Sequence, residues 1–200
     1  MDAKECILTR RSTRQFLPRR VEDEMLSQVI EAGRYAPSGG NSQTTHFIVI
    51  RSKSVLDELA ALVKEAFSRM EVTEGMYASL ASAIRASKGD SYVFHYNAPV
   101  LIVTANDRAY GNSMADCACA LENMMLMGNA LDLGTCWINQ LRWLSEDEGV
   151  LAFMRRLGLK DNERVYGALA LGFPATETGL PVRAPLPRKG NPVTFIEEDV

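Results

Sequence analysis

Ser113-Met-Ala-Asp-Cys-Ala-Cys-Ala-Leu-Glu-Asn-Met-Met-Leu-Met-Gly-Asn-Ala-Leu-Asp132 reads as one long helix without a proper polar side. Met114, Leu121, Met124, Met125, Leu126, Met127 and Leu131 spread around its circumference. A surface helix keeps its apolar residues in one stripe, whereas a helix apolar nearly all round is buried on several sides. A position in the middle of a dimer interface satisfies that pattern. Upstream, Pro99–Thr104 (Pro-Val-Leu-Ile-Val-Thr) is the clearest buried strand. His46–Arg51, with Phe47-Ile48-Val49-Ile50 at its centre, is a second, and Val165–Leu171, closed by Gly172-Phe-Pro174, is a third. Helices are expected over 2–9, 21–35, about 55–69 and about 146–157. The second of these carries a stripe of Val21, Met25, Val29 and Gly33 and is stopped by Pro37 and the glycines after it. Ser54 with Asp57, and Ser145 with Glu148, offer capping boxes for the other two. Strands and helices are mixed without a βαβ rhythm, which makes the fold class α+β rather than doubly wound.

Residues 1–200 read as a single domain, since there is no repeat, low-complexity tract or linker. Residues 70–92 are the least determined, either a helix or a mobile cover. The proline-rich stretch 179–200 includes Val193-Thr-Phe-Ile196 and has no obvious local partner. It is expected to be an arm that wraps a second subunit and adds a strand there.

The composition, 46% apolar and 24% charged, is that of a chain able to bury a core without disulfides. A net charge of -3 argues against broad nucleic-acid binding, which needs a basic face to neutralise phosphates. The charged opening Met1-Asp-Ala-Lys-Glu5 has no apolar run behind it and is not a signal peptide, and no run approaches a membrane span. A cytoplasmic location is expected. Cys6, Cys117, Cys119 and Cys136 are then thiols, and neither His46 nor His95 lies at zinc-ligand spacing from them.

Four clusters carry groups able to do chemistry. Arg10-Arg11-Ser12-Thr13-Arg14 puts three guanidinium forks and two hydroxyls within five residues, suited to a phosphate or equally to a solvated basic turn. Ala36-Pro-Ser-Gly-Gly-Asn-Ser-Gln43 is a tight loop whose glycines let backbone approach a flat ligand, with Ser38, Asn41 and Gln43 to read polar groups; read alone it is also a plain helix-to-strand turn. It matches neither GxGxxG nor the P-loop. Gly134-Thr-Cys-Trp-Ile-Asn139 offers Trp137 and Ile138 to an aromatic ligand or to the core. Pro187-Arg188-Lys189-Gly190 is a basic pair in the arm that matters only if it meets the first cluster in space.

These segments, in this order, resemble the nitroreductase family of FMN enzymes. Arg10-Arg-Ser-Thr-Arg-Gln-Phe16 looks like its first flavin motif, and Ala36–Gln43 followed by His46-Phe-Ile-Val49 like its second. Glu122-Asn-Met-Met-Leu126 with Leu133-Gly-Thr-Cys-Trp-Ile138 looks like its third, and Ala168–Pro174 and Arg188 complete the pattern. The likeness covers most of the chain apart from about 68–95. It implies a central, mostly antiparallel sheet flanked by helices, in a domain-swapped homodimer with two FMN sites between the subunits. It also implies a variable cover at about 70–96. By the same resemblance Arg10 and Arg188 grip the FMN phosphate, with Arg11 and Ser12 beside them and Arg14 near the pyrimidine edge. Pro37, Ser38, Gly39, Asn41 and Gln43 come from the other subunit, and Trp137, Ile138 and the backbone of Asn139 line the ring. Two departures stand out. Thr44-Thr45 replaces a Pro-Trp common in the family, and Asn139-Gln140 replaces a glycine after the Trp-Ile pair.

The expected function is transfer of hydride from NADH or NADPH, through FMN, to a nitroaromatic, quinone or similar small acceptor by a ping-pong mechanism. No side chain is assigned as catalytic, because the cofactor carries the hard step. Two alternatives keep the FMN: dehydrogenation of another organic substrate with oxygen as acceptor, and a flavin-binding redox protein without turnover.

Overall fold

Four strands build one antiparallel sheet: β1 (His46–Ile50), β2 (Val100–Asp107), β3 (Gly134–Ile138) and β4 (Glu163–Gly172), in spatial order β1-β2-β4-β3. Around it lie α1 (Ala3–Thr9), α2 (Asp23–Arg34), α3 (Lys53–Ser68), α4 (Ala78–Ser87), α5 (Ser113–Ala130), α6 (Gln140–Trp143) and α7 (Glu148–Arg156). The structure is a computed structural model and describes residues 1–197. The fold is the expected α+β arrangement with helices on both faces of the sheet. β2 and β4 are central and covered on both sides, so they read as continuous apolar runs instead of alternating ones. Ile48, Leu101, Val103, Cys136, Ile138 and Ala168 face the layer of α3, α4 and α7. Val49, Ile102, Trp137, Leu169 and Leu171 face α2 and α5.

The long helix α5 lies across the second face, with Cys117, Leu121 and Met124 fully buried. Burying Leu121 and Met124 contributes about 2–3 kcal/mol each. Gly128 allows α5 to press onto β3, since a Cβ there would sit 2.5 Å from the Thr135 methyl. The helix is not covered all round within one chain. Ala115, Cys119 and Glu122, at i, i+4 and i+7, form a stripe that remains exposed.

Several local expectations change. The third chemical cluster is itself a strand, β3, so the sheet has four strands where the sequence suggested three. It follows α5 without a glycine stop. Instead Asp132 takes a left-handed conformation (φ 61°), and the Leu133 N–H returns to the Gly128 carbonyl (2.8 Å). Neither expected capping box forms. α3 starts after Ser52, while Ser54 lies in its first turn. Asp147 caps α7 by accepting from the Val150 N–H, and the Ser145 hydroxyl instead accepts from Arg164 (2.9 Å). On α2 the buried residues are Leu26, Val29 and Gly33, with Met25 only half-buried. Residues 70–92, open between helix and cover, contain the helix α4.

The arm begins anchored. Arg183 donates to the Asn129 side chain (3.3 Å) and carbonyl (2.5 Å) and to Asp132 (2.6 Å). From Ala184 to Glu197 every residue is exposed and no strand forms.

Candidate functional site

The first and third clusters are stitched together. Ser12 bridges to Thr135 of β3, and the Thr13 N–H donates to the Thr135 carbonyl (2.8 Å). Further on, Leu17 donates to the Phe173 carbonyl and Ala175 to the Gln15 carbonyl (2.9 Å each). The approach is close enough to require Gly134, where a Cβ would stand 2.6 Å from the Thr13 methyl. The basic turn is thus a fixed ledge along the outer edge of β3 rather than a loose loop.

The guanidinium groups lie around that ledge. Arg10 pairs with Glu122 of α5 at 3.7 Å, which leaves it loosely held. Arg11 donates to the Ala184 carbonyl, tying the start of the arm to the basic turn. Arg14 lies 6.0 Å over the Tyr96 ring. Burial pushes the Cys136 thiol up, while Arg14, Ser12 and Arg10 pull it the other way. Burial prevails, so Cys136 is a protonated packing residue and not a nucleophile. Ser12 is exposed. Arg188 comes four residues after Ala184, is exposed, and makes no ion pair or hydrogen bond among the described residues.

Trp137 lies across Gly167, whose missing Cβ leaves room for the indole (3.2 Å to Nε1), and its Nε1–H donates to the Asn139 side chain (3.0 Å). Ile138 is fully buried in the α3/α7 layer, so only its backbone is available to a ligand. The Asn139 N–H already donates to the Gln140 side chain (3.1 Å). A hollow of about 440 Å³ opens beside Gln140, walled by Ser82, Tyr92, Phe94 and Tyr96. Burial pushes the Tyr92 phenol up to about 12, and its hydroxyl has no hydrogen-bond partner.

The loop of Pro37, Ser38, Gly39, Asn41 and Gln43 is held elsewhere. Gly40, Asn41 and Gln43 all have left-handed backbones (φ 59°, 54° and 51°), an uncommon state for the two side-chain-bearing residues. The Gln43 N–H donates to the Ser38 hydroxyl (3.0 Å) and the Gln43 amide to Asn41 (3.1 Å). Three residues absent from the sequence reading hold this shape. The Asp116 carboxylate accepts from the Gly39 N–H (3.1 Å) and the Ser42 hydroxyl (3.4 Å). The Tyr110 hydroxyl donates to the Gly39 carbonyl (2.8 Å). Asn112 packs so closely that a Cβ on Gly39 would be 2.0 Å from its amide. Asp116 sits in the first turn of a helix that read as apolar nearly all round; a carboxylate amid those apolar residues was the available signal. A small hollow of about 140 Å³, lined by Pro37, Ser38, Gln43, Thr45 and Phe47, adjoins the loop.

Within one chain the clusters therefore separate along α5. The loop is tied to Asp116 at the N-terminal end, whereas α1, leading into the basic turn, is tied to Leu126 and Asn129. Thirteen residues of helix span about 20 Å. The first and third clusters and the start of the arm meet; the loop does not join them.

A model of the nitroreductase family matches residues 7–173. The chain is similar to a nitroreductase with bound FMN from Bacteroides fragilis, at 32% identity and a TM-score of 0.84, covering 98% of this chain and 100% of that one. It is similar to a point mutant of an FMN and NADPH-dependent nitroreductase derived from sphigopyxis sp. strain HMH, at 28% identity and a TM-score of 0.68, covering 95% of each chain. It is also 27% identical over 201 residues to the nitrobenzene nitroreductase of Ectopseudomonas oleovorans, covering 84% of this chain and 85% of that protein. With the ordered motifs lying on one matching fold, the chain belongs to the nitroreductase family.

Proposed function

We propose that the protein is an FMN-dependent oxidoreductase that passes hydride from NADH or NADPH to a nitroaromatic, quinone or related acceptor by a ping-pong mechanism, as a homodimer with FMN between the subunits. The observation that carries this reading is the separation along α5. The basic ledge and the glycine loop lie at opposite ends of one helix, and an exposed stripe, Ala115, Cys119 and Glu122, runs between them. Crossing two such helices on a two-fold axis brings the loop of each chain to the ledge of the other.

The residues present fit FMN. In this reading Arg10, Arg11 and Ser12 take the phosphate, and Arg188 joins them as the arm passes the ledge at Ala184. Arg14 serves the pyrimidine edge, where a cation favours the negative charge of a reduced ring. Gly40, open where a Cβ would stand, admits the ring edge against backbone, with Pro37, Ser38, Gly39, Asn41 and Gln43 around it. Trp137 and the backbone of Ile138 and Asn139 form the wall beneath. FMN, when bound, supplies the hydride-accepting and hydride-donating centre. The chain's own part is to bind, orient and exclude water, with the hollow at Gln140, Tyr92 and Tyr96 admitting the acceptor.

The test is an absorbance spectrum of the purified protein, followed by anaerobic titration with NADH and NADPH. Flavin bands that bleach with one equivalent of reduced nicotinamide are expected. A colourless protein that takes up no FMN, or bound flavin that neither nucleotide reduces, overturns the reading. Arg188→Ala is expected to weaken FMN binding about tenfold or more, the loss of a charge-assisted bond, with an unchanged melting temperature of the apoprotein. Equal FMN dissociation constants for variant and parent remove Arg188 from the site.

A further inference from the structure

At the turn from β3 into α6, Asn139 and Gln140 add two side chains where a glycine was expected after the Trp-Ile pair. They have separate tasks. The Asn139 amide oxygen accepts from the Trp137 Nε1–H (3.0 Å). The Gln140 amide turns back onto the Asn139 N–H (3.1 Å). A backbone N–H can only donate, so the atom it meets is the amide oxygen, and the orientation of that amide is settled. The Gln140 NH2 group is left as a donor without a partner among the described residues.

Tyr92 lines the same hollow of about 440 Å³ as Gln140, and its hydroxyl is buried without a hydrogen-bond partner. An orphaned buried hydroxyl is costly and marks a place where a partner is missing. Gln140 lies close to it without closing a hydrogen bond. Burial outweighs that neighbour and holds the phenol at about 12, so Tyr92 is a donor at any working pH. The rest of the lining is mainly apolar, from Ala83, Ala86, Val93 and Phe94, and includes no charged side chain. Tyr96 completes it from a left-handed backbone (φ 57°), an uncommon state for a bulky residue, with Arg14 6.0 Å over its ring. In the FMN reading the Asn139 backbone and Arg14 both serve the flavin ring, so a hollow running from Gln140 to Tyr96 opens along that ring.

We propose that Gln140 and Tyr92 are specificity-determining residues: the Gln140 NH2 group and the Tyr92 hydroxyl donate to the two oxygens of a nitro group on an uncharged aromatic acceptor seated in this hollow. This rests on the FMN reading above and names, within it, the chemical class of the acceptor. Two neutral donors close together match two oxygens on one atom. A quinone brings one carbonyl oxygen to the same wall and leaves a donor unpaired. A carboxylate has the two-oxygen shape, but here it loses its hydration with no cation in the lining to pair with. The apolar walls cover the acceptor's ring.

The test is ligand binding to the oxidised, FMN-loaded protein, where no reductant is present and nothing turns over. Dissociation constants for nitrobenzene and for isopropylbenzene, similar in size but without the oxygens, are read from the shift of the flavin absorbance bands. Tyr92→Phe removes one donor. Gln140→Glu removes the other and keeps an oxygen for the Asn139 N–H, so the turn retains its own hydrogen bond. The parent is expected to prefer nitrobenzene at least about fivefold, and each variant to cut that preference about threefold or more, the worth of a neutral hydrogen bond. Tyr92→Phe is expected to hold FMN within about twofold of the parent's dissociation constant, since its hydroxyl serves the acceptor and not the cofactor. A preference unchanged in either variant, or the two probes weakened equally, overturns the assignment and leaves the FMN reading standing. Protein that shows no flavin bands after loading overturns the FMN reading and this one with it.

Discussion

Asp116 is buried, yet both its carboxylate oxygens are directed at the glycine loop. Holding Gly39 and Ser42 fixes a backbone in which three of four consecutive residues from Gly40 to Gln43 are left-handed, a shape that would otherwise relax. Asp116 is thus a positioning residue. Asp116→Ala is expected to raise the FMN dissociation constant about tenfold, the net worth of one charged hydrogen bond, while turnover per bound flavin stays near that of the parent. Fluorescence titration with FMN, alongside kcat normalised to flavin content, checks both halves. On the opposite side of the site, Gly134→Ala forces a methyl group against Thr13. The ledge then has to shift, at a cost of about 1–3 kcal/mol, visible as a lower melting temperature together with weaker FMN binding.

At the scale of elements, α5 couples the two halves of the proposed site, and in the dimer reading its exposed stripe is the place to separate them. Cys119→Arg puts a charged side chain on that stripe without touching the ledge or the loop. It is expected to yield a folded monomer by sedimentation, with FMN affinity reduced at least a hundredfold because half of the site is gone. A dimeric Cys119→Arg protein with normal flavin content contradicts this prediction. The sequence made α5 legible by its composition, and β2 and β4 by their doubly buried apolar runs. β3 was obscured because five residues, Gly134-Thr-Cys-Trp-Ile138, are too few to display a period, and because its start is marked by Asp132 rather than a glycine. The basic turn and the loop were visible as residue types. Their tethers, Thr135 and Asp116, were not, since tertiary hydrogen bonds leave no local pattern.

For the whole molecule, acid sensitivity follows from one imidazole. Burial lowers the pKa of His95, with Asp57 pulling weakly the other way. The unfolded chain therefore binds a proton more readily than the folded one, and stability is lost as pH falls below the unfolded value of about 6.5. Glu163, held low by His46 and Lys160 against the effect of burial, removes stability only in a more acidic window, below about 4.5. Chemical denaturation across pH 7 to 5 is expected to show a decline that His95→Leu abolishes; an identical slope in both proteins assigns it elsewhere. The open rim of β1 bears on how the protein fails. Unpaired N–H and C=O groups on a strand edge recruit other strands. If the arm adds a strand to a second subunit, as its sequence leads one to expect, a protease nicking the exposed segment after Ala184 strips that subunit's rim of its cover and leaves the core intact. Clipped material is then expected to keep its helices and sheet while drifting into turbid, fibrous aggregates at concentrations the whole protein tolerates.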